Sequence, residues 1–129
     1  MSRAFVEILQ EGDSLEVHGY TSAPGDLPLR QAVPDDLNER YNAGVRAQDL
    51  FIGGGAAPEL VSVIRALAVE NSEFIAVAPF FPEYRPFTEA SGARFVVVPA
   101  DIPNFQIDFA ALESCLNANT QAIIINSPN

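Results

Sequence analysis

Lysine is absent from this chain of 129 residues, and its seven basic residues are all arginines. A reaction in which a lysine amine forms a covalent bond with a carbonyl compound therefore cannot be completed by this polypeptide alone. The single cysteine, Cys115, excludes an internal disulfide, and it is expected to be a small apolar packing residue. The single histidine, His18, has no cysteine or histidine partner at metal-ligand spacing, so we predict neither a metal site nor a catalytic residue in the chain.

Positive charge is scarce, since 17 acidic residues give a formal charge of -10 and a pI near 4.2. Such a surface repels phosphate backbones, which argues against a nucleic-acid partner. The apolar runs are far shorter than the roughly 20 residues that a membrane helix requires. The first residues also lack the apolar region of a secretory signal, so we expect no membrane partner and a cytoplasmic location.

Residues 1–48 form the helical N-terminal part of the predicted fold. Apolar residues recur at helical spacing over residues 2–10 and again over residues 28–41, with a loop between the two segments. Pro34 falls inside the second segment, where proline costs about 3 kcal/mol unless the helix breaks or kinks. We therefore expect an interruption at that position.

Residues 49–129 show a βαβαβαβ rhythm. The predicted strands are residues 50–52, 74–77, 94–98 and 122–126, and the predicted helices are residues 58–69, 82–90 and 109–116. Strands that are almost wholly apolar indicate a parallel sheet buried on both faces. The expected fold is a three-layer α/β architecture with a mainly parallel sheet and helices on both faces, in which the last strand lacks at least one neighbour.

The first candidate site is the glycine-rich segment that follows strand 50–52. Glycines 53 to 55 allow a sharp turn, and the N–H groups that follow them open a helix, which is the arrangement of an anion site suited to phosphate. A tight turn without a ligand is the plain alternative. A dinucleotide fingerprint is disfavoured, because Pro58 replaces its third glycine and the next strand does not end in an acidic residue.

Two other strand ends carry candidate binding groups. Phe80, Phe81 and Tyr84 are difficult to bury together, so one ring could stack on a flat ligand, although a plain aromatic core cluster is equally compatible with the pattern. Asn126 and Ser127 could hold ligand oxygens through amide and hydroxyl groups, or they could form an ordinary turn.

Taken in order, four motifs resemble the N-terminal part of a class I/II aminotransferase, the fold-type-I pyridoxal-phosphate family, over essentially the whole chain. They are His18-Gly-Tyr-Thr-Ser-Ala-Pro-Gly25 with Leu29-Arg30, Gly55-Ala-Ala-Pro-Glu-Leu60, Pro79-Phe-Phe-Pro-Glu-Tyr84 and Ile123-Ile-Ile-Asn-Ser-Pro-Asn129. The resemblance implies that residues 1–129 are part of the large domain of such an enzyme and that pyridoxal 5'-phosphate is its cofactor.

The resemblance also implies roles for particular residues. The amides of Ala56 and Ala57, next to Gly55, would hold the cofactor phosphate, and Phe81 would stack on the pyridine ring. Tyr20 matches the tyrosine that reaches the phosphate of the neighbouring subunit's cofactor, which implies a homodimer. Asn129 would be the neighbour of the asparagine that contacts the phenolic oxygen of the cofactor.

The family's Schiff-base lysine, pyridine-pairing aspartate and carboxylate-binding arginine have no counterpart in this sequence. We therefore expect an inactive fragment of a cytoplasmic, biosynthetic transaminase that moves an amino group between an amino acid and a 2-oxo acid. The same resemblance covers lyases, synthases and decarboxylases. An alternative from another class is a complete, non-catalytic α/β module that binds a phosphorylated ligand or a partner protein.

Overall fold

A computed structural model of the chain describes residues 2–11, 17–102 and 104–127. The chain divides into two compact units, Met1–Gly54 and Gly55–Asn129, and each is described by itself. Within the described residues, no helix has the length and apolar character needed to cross a bilayer.

The first unit contains two long helices. Helix α1 spans Ser2–Glu11 and helix α2 spans Leu27–Tyr41. Asp26 caps α2 by accepting a hydrogen bond from the Leu29 amide at 3.2 Å, and Asn42 ends the helix in the left-handed conformation. The predicted loop before α2 lies partly outside the described residues, because residues 12–16 are among those not described.

The expected interruption at Pro34 does not occur, because α2 continues through this residue. Pro34 is fully buried in the structure. A proline inside a helix removes one backbone hydrogen bond, and the burial of its apolar ring offsets part of that cost. Tertiary packing thus overrides the local preference of proline at this position.

The predicted strand 50–52 is wrong, because these residues form no strand in the structure. They follow a short 3₁₀ helix, η1, over Ala47–Asp49, and the Ile52 amide donates to the Pro24 carbonyl at 3.0 Å. Gly25 makes this approach possible, since a Cβ built there would lie 2.6 Å from the Ile52 Cβ. Three consecutive apolar residues are enough to suggest a strand, but the backbone amide of Ile52 hydrogen-bonds to the turn at Pro24 and not to a neighbouring strand.

The second unit contains the parallel sheet. Its elements are α3 (Ala56–Leu67), β1 (Glu73–Val77), α4 (Tyr84–Glu89), β2 (Arg94–Val98), α5 (Phe109–Cys115) and β3 (Thr120–Ile124). All pairings are parallel, and the strand order is β2-β1-β3. Every residue of β1 is buried, as expected for a central strand covered on both faces.

Helices cover both faces of this sheet. On one face, Leu60 of α3 and Phe87 of α4 pack against a cluster of Ile64, Phe74 and Ala93. On the other face, residues of α5 pack against a cluster formed by Ile75, Val77 and Val98. The predicted α/β class with helices on both faces of a parallel sheet is therefore confirmed.

Strand β3 lies at an edge of the described sheet, as predicted. It spans residues 120–124 and not 122–126, so Asn126 follows the strand by two residues. Ile123 and Ile125 are 39% and 60% exposed, although they belong to an apolar run. The edge position leaves these side chains uncovered among the described residues.

Candidate functional site

A cavity of about 570 Å³ opens where the carboxyl ends of β1 and β3 meet the start of α3. This is the edge at which parallel α/β sheets bind ligands. The cavity is mostly apolar. Its walls are formed by α3, by the turn after β1, by α4 and by the end of β3. The lining residues are Ala56, Ala57, Glu59, Leu60, Val63, Phe81, Tyr84, Phe87, Ile124 and Ile125.

The N-terminus of α3 provides the polar end of this cavity. The helix begins at Ala56, two residues before the predicted start at Pro58, so the amides of Ala56 and Ala57 belong to its first turn. The first four N–H groups of a helix have no partner within it, and the N-cap Gly55 has no side chain with which to cap them. Pro58 stands at the third helical position, where its missing N–H removes no helical hydrogen bond.

Gly55 adopts φ 123° and ψ 169°, a backbone conformation that side chains of L-residues rarely adopt. A Cβ added there would meet nothing within 4 Å, so the backbone conformation alone explains the need for glycine. The result is a helix N-terminus that carries partial positive charge, and the first two residues of this helix, Ala56 and Ala57, line the cavity. Such a terminus favours an anionic group, and a phosphate is the common case.

The aromatic residues after β1 have separate environments. Phe80 is half-buried and meets the Phe95 ring edge-on at a centroid distance of 5.1 Å. Phe81 is 47% exposed and lines the cavity. Phe81 is thus the more exposed of the two phenylalanines and lines the cavity, and its stacking on a ligand ring stays a prediction.

Tyr84 lines the cavity beside Phe81 and also binds the chain after β3. Its ring meets Phe81 edge-on at 5.7 Å, with 69° between the ring planes, and lies 6.5 Å from Phe80. Its hydroxyl donates to Asn126 Oδ1 at 2.6 Å. This bond joins residues 42 positions apart in the sequence. Both residues were candidate binding groups in the sequence, but the bond between them was not predicted.

Glu59 is the charged side chain among the described lining residues. It lies in the first turn of α3, which is a favourable place for a carboxylate with respect to the helix dipole. The same carboxylate, however, opposes a second anion at that helix end. The site therefore combines an anion-binding terminus with one adjacent negative charge.

The predicted site residues separate into two groups. Ala56, Ala57 and Phe81 line one cavity, and Gly55 precedes its helix terminus. Tyr20 belongs to the first unit, where its side chain is fully exposed. Asn129 lies outside the described residues.

A polar cluster lies at the opposite end of the strands. Glu73, the first residue of β1, is buried and pairs in register with Arg94 of β2. Its carboxylate accepts hydrogen bonds from Asn117 Nδ2 at 2.9 Å and from the Arg94 guanidinium, which together hold the pKa of Glu73 below its usual value. This arrangement links the amino ends of two strands and the chain before β3.

The sequence profile of the family described as "Aminotransferase class I and II" matches residues 2–129. A probable aminotransferase of Arabidopsis thaliana is 30% identical over 100% of this chain and 28% of its own length. An S-alkyl-thiohydroximate lyase of the same organism is 28% identical over 98% of this chain and 27% of its own length. The crystal structure of an amino transferase from Eubacterium rectale superposes with a TM-score of 0.89 at 46% identity, covering 99% of this chain and 32% of that one.

A match over nearly the whole chain shows that it belongs to the class I and II aminotransferase family. Its fold is the corresponding part of the fold-type-I architecture. The chain spans 28% and 27% of the length of the two Arabidopsis relatives.

Proposed function

We propose that this chain is the phosphate- and ring-binding part of a pyridoxal-phosphate-dependent aminotransferase, which transfers an amino group between an amino acid and a 2-oxo acid. The observation that carries the proposal is that Ala56 and Ala57 of the α3 N-terminus and Phe81 line the same cavity. A partly exposed ring beside an uncapped helix terminus fits a flat aromatic molecule with one phosphate. Membership of the family supports the same cofactor.

In this proposal the two amides of α3 hold the phosphate, and Phe81 covers one face of the pyridine ring. Leu60, Val63 and Ile124 line the same cavity with apolar side chains, which would limit the access of water to a bound cofactor. When bound, the cofactor supplies an electron sink for the carbon that loses or gains the amino group. The residues of this chain bind and orient the cofactor.

The absence of lysine from the chain limits its part in the reaction. A covalent link between protein and cofactor requires a lysine from another part of the protein or from another polypeptide. We therefore expect residues 1–129 alone to have no transaminase activity. Tyr20, which is fully exposed, is proposed to contact the cofactor phosphate of the neighbouring subunit in a homodimer, and we propose a cytoplasmic location.

Transamination is the reaction type that the names of the relatives favour. Relatives of similar identity are named as aminotransferases and as a lyase. Transamination is proposed because most of the relatives at this similarity carry aminotransferase names. The non-catalytic binding module is disfavoured, since the family profile extends over residues 2–129.

The replacement Ala56→Pro in the full-length protein tests the phosphate site. Proline is favoured at the first position of a helix, and ψ 169° at Gly55 suits the residue before a proline. The substitution therefore removes one N–H donor and leaves the helix intact. A hydrogen bond to a charged group is worth about 1.5–3 kcal/mol, so affinity for pyridoxal phosphate should fall about 10- to 100-fold.

Pyridoxal, which lacks the phosphate, is the control ligand. The affinity of the protein for pyridoxal should be the same in Ala56→Pro as in the wild type. The matched control variant is Phe109→Pro, which places proline at the first position of α5 on the opposite face of the sheet. A full-length wild-type protein that does not bind pyridoxal phosphate would overturn the proposed function. Equal losses for both ligands would refute the role of the α3 terminus.

A further inference from the structure

Tyr84 connects the aromatic wall of the cavity to the end of β3. Its ring contacts Phe81 at 5.7 Å, and its hydroxyl donates to Asn126 Oδ1 at 2.6 Å. It is also the first residue of α4, and its backbone amide donates to the Phe81 carbonyl at 3.0 Å. One residue thus joins the turn after β1, the start of α4 and the segment after β3.

The segment after β3 needs such a connection. Strand β3 pairs on one side with β1, and the last paired position is Ile124 opposite Ala76. Beyond it, Ile125 lines the cavity although its side chain is 60% exposed. Among the described residues, the Tyr84 bond is the side-chain hydrogen bond that holds residues 125–127 to another element.

The bond also restricts the ring of Phe81. An edge-to-face contact favours one relative orientation of two rings, because the positive edge of one meets the negative face of the other. Tyr84 is half-buried, lies 6.5 Å from Phe80 and is bound at its hydroxyl, so it has little freedom to turn. Phe81 is more exposed, and its ring contacts the Tyr84 ring edge-on.

Resting on the proposed function, we infer that Tyr84 is a positioning residue for the cofactor. Its hydroxyl binds Asn126 and so fixes the Phe81 ring and the end of β3 relative to the Ala56 and Ala57 amides. Tyr84 acts through Phe81 and through the cavity wall. The hydroxyl group of Tyr84 carries this effect through its hydrogen bond with Asn126.

The test uses Tyr84→Phe, Asn126→Ala and the double variant in the full-length protein. Tyr84→Phe keeps the ring against Phe81 and removes only the hydroxyl. The matched control is Tyr41→Phe, because the Tyr41 hydroxyl also makes a 2.6 Å hydrogen bond, with Arg40 Nη2, in the other unit. The measurements are the dissociation constant for pyridoxal phosphate, the visible circular dichroism of the bound cofactor and the melting temperature of the cofactor-free protein.

We expect Tyr84→Phe and Asn126→Ala each to weaken cofactor binding about five-fold, the usual effect of losing one neutral hydrogen bond. The double variant should be no weaker than either single variant, since all three lack the same bond. The circular dichroism band of the bound cofactor should shrink or change shape, because it reports the fixed tilt of the ring. Tyr41→Phe should leave both cofactor measurements unchanged.

A lower melting temperature without the cofactor, combined with unchanged affinity and circular dichroism, would show a purely structural bond and overturn the inference. Additive losses in the double variant would overturn it as well, because the two residues would then act separately. If Tyr84→Phe does not fold, Asn126→Ala tests the same bond from its other end. A wild-type protein that binds no pyridoxal phosphate removes the proposed function, whereas a binding wild type with unaffected variants removes only this inference.

Discussion

Replacing Phe81 by alanine is the most direct test of how the cavity holds a flat ring. The Phe81 side chain is 47% exposed, and an aromatic side chain presents about 150–250 Å² in all, so about 100 Å² of it faces solvent. A bound ring covers one of its two faces, or about 50 Å², which contributes about 1.2 kcal/mol at about 25 cal/mol per Å². The stacking geometry adds about 1 kcal/mol.

The two contributions sum to about 2 kcal/mol, so Phe81→Ala should weaken the binding of pyridoxal phosphate about 30-fold. The full-length protein would be titrated with the cofactor, and binding would be followed by the change in cofactor absorbance. Phe81→Leu separates the two contributions, because it keeps most of the apolar surface and removes the stack. Its expected loss is about five-fold.

Phe109→Ala is the matched control, because Phe109 is also exposed, at 73%, but belongs to α5 on the opposite face of the sheet. It should leave cofactor affinity unchanged. An affinity in Phe81→Ala within two-fold of wild type, with the cofactor still bound, would refute the stacking argument. Equal losses in Phe81→Ala and Phe109→Ala would mean that the effect arises from general destabilisation.

Two further predictions concern charged residues. Glu59→Gln removes the negative charge beside the α3 terminus and should tighten the binding of a phosphate ligand about two- to five-fold at low salt. The gain in affinity should be smaller at high salt, because salt screens the charge. The control variant Glu113→Gln on α5 should show no gain in affinity. Glu73 has a pKa lowered by Asn117 and Arg94, so it stabilises the folded state above its ordinary value of 4.5, and this stability is lost as pH falls through the lower folded value. Thermal melts from about pH 6 to about pH 3 should therefore show a shallower acid decline in Glu73→Gln than in wild type, and identical slopes would contradict this assignment.

Apolar runs predicted much of the second unit. The runs at residues 74–77 and 94–98 correspond to β1 and β2, and the run in β1 is apolar on both faces because β1 is the central strand. The helix predicted over residues 109–116 corresponds to α5, and the Asp108 carboxylate caps it by accepting a hydrogen bond from the Ala111 amide at 2.9 Å. These features depend on local spacing or on uniform burial, which a single sequence displays directly.

Features that depend on partners distant in the sequence could not be predicted. Residues 50–52 have the composition of a strand, but their backbone bonds to the turn at Pro24. Pro34 remains helical because its ring is buried. The bond between Tyr84 and Asn126 joins two segments whose proximity follows only from the pairing of β1 with β3.

Strand β3 shows why composition cannot distinguish a central strand from an edge strand. Ile123 and Ile124 are as apolar as the residues of β1, yet every residue of β1 is buried and Ile123 is 39% exposed. Burial depends on how many strands and helices surround the run, which is a property of the whole sheet. Strand β3 pairs with β1 on one side only. The cavity wall at the end of β3 therefore depends more on the Tyr84 bond than it would if β3 were a central strand. One edge of the described sheet therefore lies beside the site, and variants of Tyr84 and Asn126 should affect ligand binding more than fold stability.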